Sequence, residues 1–124
     1  MNWLLLSASI LAAVTALIHV LLGGREVAAP LLRTELAETV KLTMYACWHL
    51  VSAALAVSAV GLLSAASNGG QSGDLAVFVG TLWTLFGLVF LYLSLVLARP
   101  RGLFQYPQWT LLLPVGLLAL LGSP

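Results

Sequence analysis

Three apolar runs, Trp3 to Leu22, Leu42 to Leu63 and Leu75 to Ala98, contain no Asp, Glu, Lys or Arg. A helix rises about 1.5 Å per residue, so about 20 such residues match the roughly 30 Å hydrocarbon core of a bilayer. A fourth run, from about Pro107 to Leu121, is shorter and would cross a thinned region, tilt little or lean on flanking aromatics. Only 7% of the 124 residues are charged and 61% are hydrophobic. Soluble domains use about 25% charged residues to hold their surface in water, so the solvent of this chain is mostly lipid. The predicted fold is all-α: an integral membrane four-helix bundle forming one domain over residues 1–124. Its fourth helix is short and kinked, because Pro114 removes a backbone donor and Gly116 follows two residues later.

The first run resembles a signal peptide only superficially. It lacks a basic leader and its apolar stretch is too long, so it is read as a permanent helix. All five basic residues then fall in two connections: Arg25, Arg33 and Lys41 between the first two helices, and Arg99 and Arg101 between the last two. The positive-inside rule places both connections in the cytoplasm and both termini outside, and it argues against dual topology. The expected location is a bacterial plasma (inner) membrane, crossed several times, with the lipid bilayer as the first partner.

Several function classes are excluded. A net charge of +1 leaves no clustered basic surface for nucleic acid. Cys47 is the single cysteine, so an internal disulfide, a Cys-x-x-Cys pair and a multi-thiolate zinc site are all impossible within one chain. Enzyme chemistry is disfavoured: no intramembrane acid is present to orient a histidine, and Ser52 and Ser94 sit in no nucleophile turn. Cys47 lies about 200° around the helix from His49, and Gly23-Gly24 lacks the repeat and lysine of a phosphate cradle.

The connections differ in character. Ser64 to Asp74 reads as a flexible turn-rich linker. In the first basic connection, Gly23-Gly24 can close the first helix and Pro30 or Thr34 can start another. Leu32, Leu36 and Val40 would then share an apolar face, on a surface helix or on a projection of the second span.

At 100° per residue, Ala8, Ala12, Thr15, Ala16 and His19 fall on one side of the first helix. Tyr45, His49, Ser52, Ala56 and Ala59 group on the second, and Gly80, Thr84, Gly87, Ser94 and Ala98 on the third. These small or weakly polar stripes, with Ala12, Ala16, Ser52, Ala56, Gly80, Thr84 and Gly87 as central members, are the expected packing faces. The Gly80, Thr84, Gly87 stripe is also a candidate homodimer surface. Trp3, Tyr106 and Trp109 suit interfacial belts.

His19 and His49 are the ionisable groups expected inside the spans, and such groups mark function by default. By helical rise, His19 lies about 6 Å and His49 about 12 Å below the cytoplasmic boundary, with Tyr45 level with His19. A His19, Tyr45, His49 cluster follows if the first two helices are neighbours. Arg25, Glu26, Gln105 and Gln108 are placed to cap it, and Trp48 joins it as a ligand-binding candidate. Four readings follow. The pair ligates haem iron or, with Glu26, a divalent metal, though no ligand motif supports this and the cofactor stays unassigned. The chain forms an oligomeric small-solute transporter or channel, without the membrane-embedded acid that small exporters use. Arg25, Tyr45, Trp48 and His49 bind an amphipathic molecule such as a quinone or a lipid headgroup. The residues simply make a hydrogen bond between helices.

His19-Val20-Leu21 resembles the His-x-Leu that ends the first helix of the YgdD-type family of small four-helix membrane proteins. Tyr45-Ala46-Cys47-Trp48-His49 resembles its Tyr-x-x-aromatic-His, and Pro114-Val115-Gly116 its Pro-x-Gly. The match runs across nearly the whole chain. It departs at Ala16-Leu17-Ile18, where the family carries glycines, and in lacking the late tryptophan. The family has no settled activity, so the resemblance implies the fold and points to His19, Tyr45 and His49 without naming a reaction. The sequence as a whole reads as a small membrane binding or partner-interaction protein, with a homo-oligomer or a membrane-protein partner in prospect.

Overall fold

The computed structural model describes residues 1–68, 73–97, 103–104 and 106–123. Among these residues the only regular secondary structure is helix. Helix α1 (Trp3–Ile18) runs without a break through a π-helical segment, His19–Ala28, into α2 (Ala29–Leu32). Helix α3 covers Glu38–Ser67, α4 covers Gly73–Tyr92 and continues into a second π segment, Leu93–Leu97, and α5 covers Trp109–Gly122. Three of these helical stretches, Trp3–Leu32, Glu38–Ser67 and Gly73–Leu97, are long and apolar enough to cross a membrane. Helix α5, at 14 residues, is about 21 Å long and falls short of that thickness by itself. Pro114 lies inside it and can give no amide proton to the carbonyl four residues back.

The helices form a ring in which α1 packs on α3 and α5, α5 packs most closely on α4, and α3 meets α4 only lightly. The tightest seam is α4–α5, and glycine makes it possible. A Cβ on Gly80 would lie 3.0 Å from the Gly116 carbonyl oxygen, and one on Gly116 would lie 2.9 Å from that of Gly80. The backbones therefore touch, which is the packing that lipid favours when apolar burial gives no preference. Trp83 fills the centre at 1% exposure, beside Leu5, Leu62 and Val115.

One end of the bundle is tied by Asn2. Its Oδ1 accepts from the amides of Leu4 and Leu5 at 3.1 and 3.2 Å, capping α1. Its Nδ2 donates to the Gly122 carbonyl at 2.7 Å, and its own amide donates to Ala66 at 2.9 Å. Three helix ends thus share one residue. A buried bond from Ser9 Oγ to the Ala59 carbonyl, 2.9 Å, links α1 to α3 below it.

The first basic connection departs from expectation. Gly23-Gly24 does not close the first helix: the chain stays helical to Leu32, with five-residue bonding such as Ala29 N–H to the Gly24 carbonyl. It stops where the Thr34 hydroxyl donates to the Leu31 carbonyl at 2.7 Å, and Lys41 Nζ donates back to the Thr34 carbonyl at 3.3 Å. Leu32 and Leu36 therefore lie on opposite sides of a turn, and α3 starts at Glu38, whose carboxylate suits a helix N-terminus.

Candidate functional site

The buried residues of the core gather toward the Asn2 end and thin out toward the basic connection, where a four-ring cluster stands. It begins with Trp48. A Cβ on Gly23 or Gly24 would sit 3.8 Å from this indole, so the two glycines form a flat seat on the π segment into which the ring lies. π segments recur at functional sites, and this one is ten residues long. The His19 imidazole stacks on Trp48 with centroids 4.7 Å apart and planes 20° apart. Tyr45, one turn earlier on α3, is nearly parallel to Trp48, at 3° and 6.4 Å. His49 stands edge-on to both, 4.5 Å from Tyr45 and 5.1 Å from Trp48. The imidazoles meet through Trp48: among the described residues no ring contact joins them directly.

His19 Nε2 lies 3.4 Å from the Trp48 carbonyl, a long bond in which the nitrogen must be the donor. The Ser52 hydroxyl donates to the same carbonyl at 3.1 Å, so the interhelical link runs through backbone rather than from a tyrosine or serine to a histidine. The Tyr45 hydroxyl, the Trp48 indole N–H and both His49 ring nitrogens make no hydrogen bond to the described residues. His49 is exposed, and His19, Tyr45 and Trp48 are half-buried. Arg25 and Glu26, on the π segment, are exposed and make no ion pair among the described residues. Gln105, Arg99 and Arg101 lie outside the described residues. No group of three His, Cys, Asp or Glu side chains among them could hold a metal ion. Cys47 is exposed.

The small-residue stripes fall as follows. Ala12 is fully buried, and Ala16 is half-buried against the core. Gly80 and Gly87 are buried and Thr84 half-buried. This stripe is filled by α5 of the same chain, through Leu113, Gly116 and Leu120, and so is not a free dimer surface. On α3, Ser52 is half-buried but Ala56 is exposed, contrary to its expected packing role. The buried face there is Leu55, Ser58, Ala59, Leu62, Ala65 and Ala66, which Trp48 extends. The stripe chosen for small and polar content is centred about 100° from it, which turns His49 outward.

Asn2 and Trp83 escaped sequence reasoning as determinants of structure, and Gly116 was read as part of a kink and not as a helix contact. An Asn just before an apolar run is an N-cap signal, and a Trp in the middle of a run, far from either interface, is a core signal. The partner of Gly116 had no signal, since only the fold brings it against Thr84.

No family model, curated protein or solved structure matches the chain.

Proposed function

We propose that this is a small multi-pass membrane protein that binds an amphipathic molecule at the His19, Tyr45, Trp48, His49 cluster. The five-to-zero split of basic residues supports placing that end in the cytoplasm and both termini outside, in the plasma membrane of a bacterium. One observation carries the binding reading: three adjacent rings present hydrogen-bonding edges that no described residue uses. Polar edges at hydrocarbon depth are costly unless a partner satisfies them. His49 faces outward, so that partner arrives laterally from the lipid and needs no pore. The YgdD-type resemblance, which rests on the same residues, agrees in place.

The test is to purify the chain in mild detergent and identify retained lipid-soluble molecules by native mass spectrometry. The wild type retains one such molecule per chain, and Tyr45→Phe with His49→Ala loses it while the helical content is unchanged. Equal retention by both proteins, or retention by neither, refutes the reading.

A further inference from the structure

The chemistry of the cluster narrows the ligand, on the footing of the binding reading just given. We infer that the site takes a quinone: a neutral, planar ring with hydrogen-bond-accepting carbonyls on an apolar tail. Three observations converge. First, Tyr45 and Trp48 offer ring planes only 3° apart, a platform along which another flat ring packs, while His49 stands perpendicular at their side. Second, among the described residues nothing is hydrogen-bonded to the Tyr45 O–H or to the His49 imidazole, which in either neutral tautomer carries one N–H. Each can donate as well as accept, and quinone carbonyls, acceptors without protons of their own, meet both donors. Third, among the described residues the ring contacts hold no Lys or Arg, and Arg25 is an exposed side chain on the π segment. A phosphate headgroup is bound by charge-assisted bonds from such cations, so the cluster suits a neutral headgroup better than an anionic one.

The position agrees with the chemistry. Leu50 and Val51, next to His49 on α3, are exposed at 69% and 39%, so an apolar tail lies along the outer surface of the helix when the ring docks. His19 covers one face of Trp48 and donates to the Trp48 carbonyl, so it acts as a positioning residue that holds the indole on its glycine seat.

The experiment titrates the full chain in dodecyl maltoside with decylubiquinone, following tryptophan quenching and calorimetry. Wild type binds saturably at one per chain. Tyr45→Phe and His49→Ala each weaken binding about three- to tenfold, the range expected for one hydrogen bond, and the double variant by at least tenfold. Val60→Ala, exposed in the other half of α3, binds like wild type. Both cluster side chains lie at or near the surface, and circular dichroism verifies that the variants fold. Binding that fails to saturate, or that the double variant leaves unchanged, overturns the quinone assignment. If decylubiquinone fails while phosphatidylglycerol is retained one per chain, the quinone assignment falls and the amphiphile reading stands. If both fail, both fall.

Discussion

Replacing Gly116 with Ala tests whether the α4–α5 seam sets the stability of the bundle. The new methyl would lie 2.7 Å from the Thr84 amide nitrogen and 2.9 Å from the Gly80 carbonyl oxygen, besides meeting Thr84 Oγ1. Ordinary contact begins at 3.4 Å, so the two backbones must part by about 0.7 Å. Overpacking of this kind costs about 1–3 kcal/mol, more than the roughly 0.8–1.0 kcal/mol that alanine gains over glycine in a helix. Gly61→Ala is the control, because its methyl meets only the Leu75 side chain at 3.7 and 3.9 Å. Unfolding in mixed micelles of increasing dodecyl sulfate content, followed by far-ultraviolet circular dichroism, compares the two. Gly116→Ala unfolds at clearly lower dodecyl sulfate than wild type, and Gly61→Ala at the same content or slightly higher. Thr84→Ala added to Gly116→Ala recovers only part of the loss, since it removes the hydroxyl but leaves the amide in the way. Equal midpoints for wild type and Gly116→Ala, or equal losses for the two alanines, would refute the claim that backbone contact holds this seam.

Asn2→Ala removes a cap and the tie to Gly122, and is expected to cost about 1–3 kcal/mol in the same assay. Asn2→Asp keeps the cap but cannot donate to the Gly122 carbonyl, so it recovers part of that loss; full recovery would mean the tie contributes nothing. Ser9→Ala loses the bond to the Ala59 carbonyl and lowers stability by about 0.5–1.5 kcal/mol, read from the shift in unfolding midpoint. Trp48→Ala empties the glycine seat, and hydrogen exchange at residues 19–28 accelerates relative to α4; unchanged exchange there would show that the π segment stands without the ring.

The long spans were legible because a charge-free apolar run of 20 residues has few ways to fold. Their ends were not. Gly23-Gly24 has the composition of a helix terminus, and nothing local reveals that an indole 24 residues away covers both glycines and lets the helix continue. The candidate site was legible in the same partial way. His19, Tyr45 and His49 stood out as polar groups in apolar runs, and the structure joins them through Trp48. The rotation of α3 was hidden because small residues line more than one side of this helix, and those that turn inward are Ser58, Ala59, Ala65 and Ala66. Its buried stripe includes Leu55 and Leu62, whereas Ala56 is exposed.

That rotation links the fold to the proposed site. If α3 buried the whole expected stripe of Tyr45, His49, Ser52, Ala56 and Ala59, the imidazole would be sealed between helices, where its nitrogens would require internal partners. Burying Leu55, Ser58 and Leu62 instead leaves Trp48 as the last inward residue, held by His19 and the glycine seat, and turns His49 out beside it. The opposite end runs the other way: Asn2 joins three helix ends there, with each of its side-chain polar atoms bonded. Bonded donors at one end, and at the other donors that no described residue uses, on helices shared by both, are the arrangement that the proposed lateral binding requires.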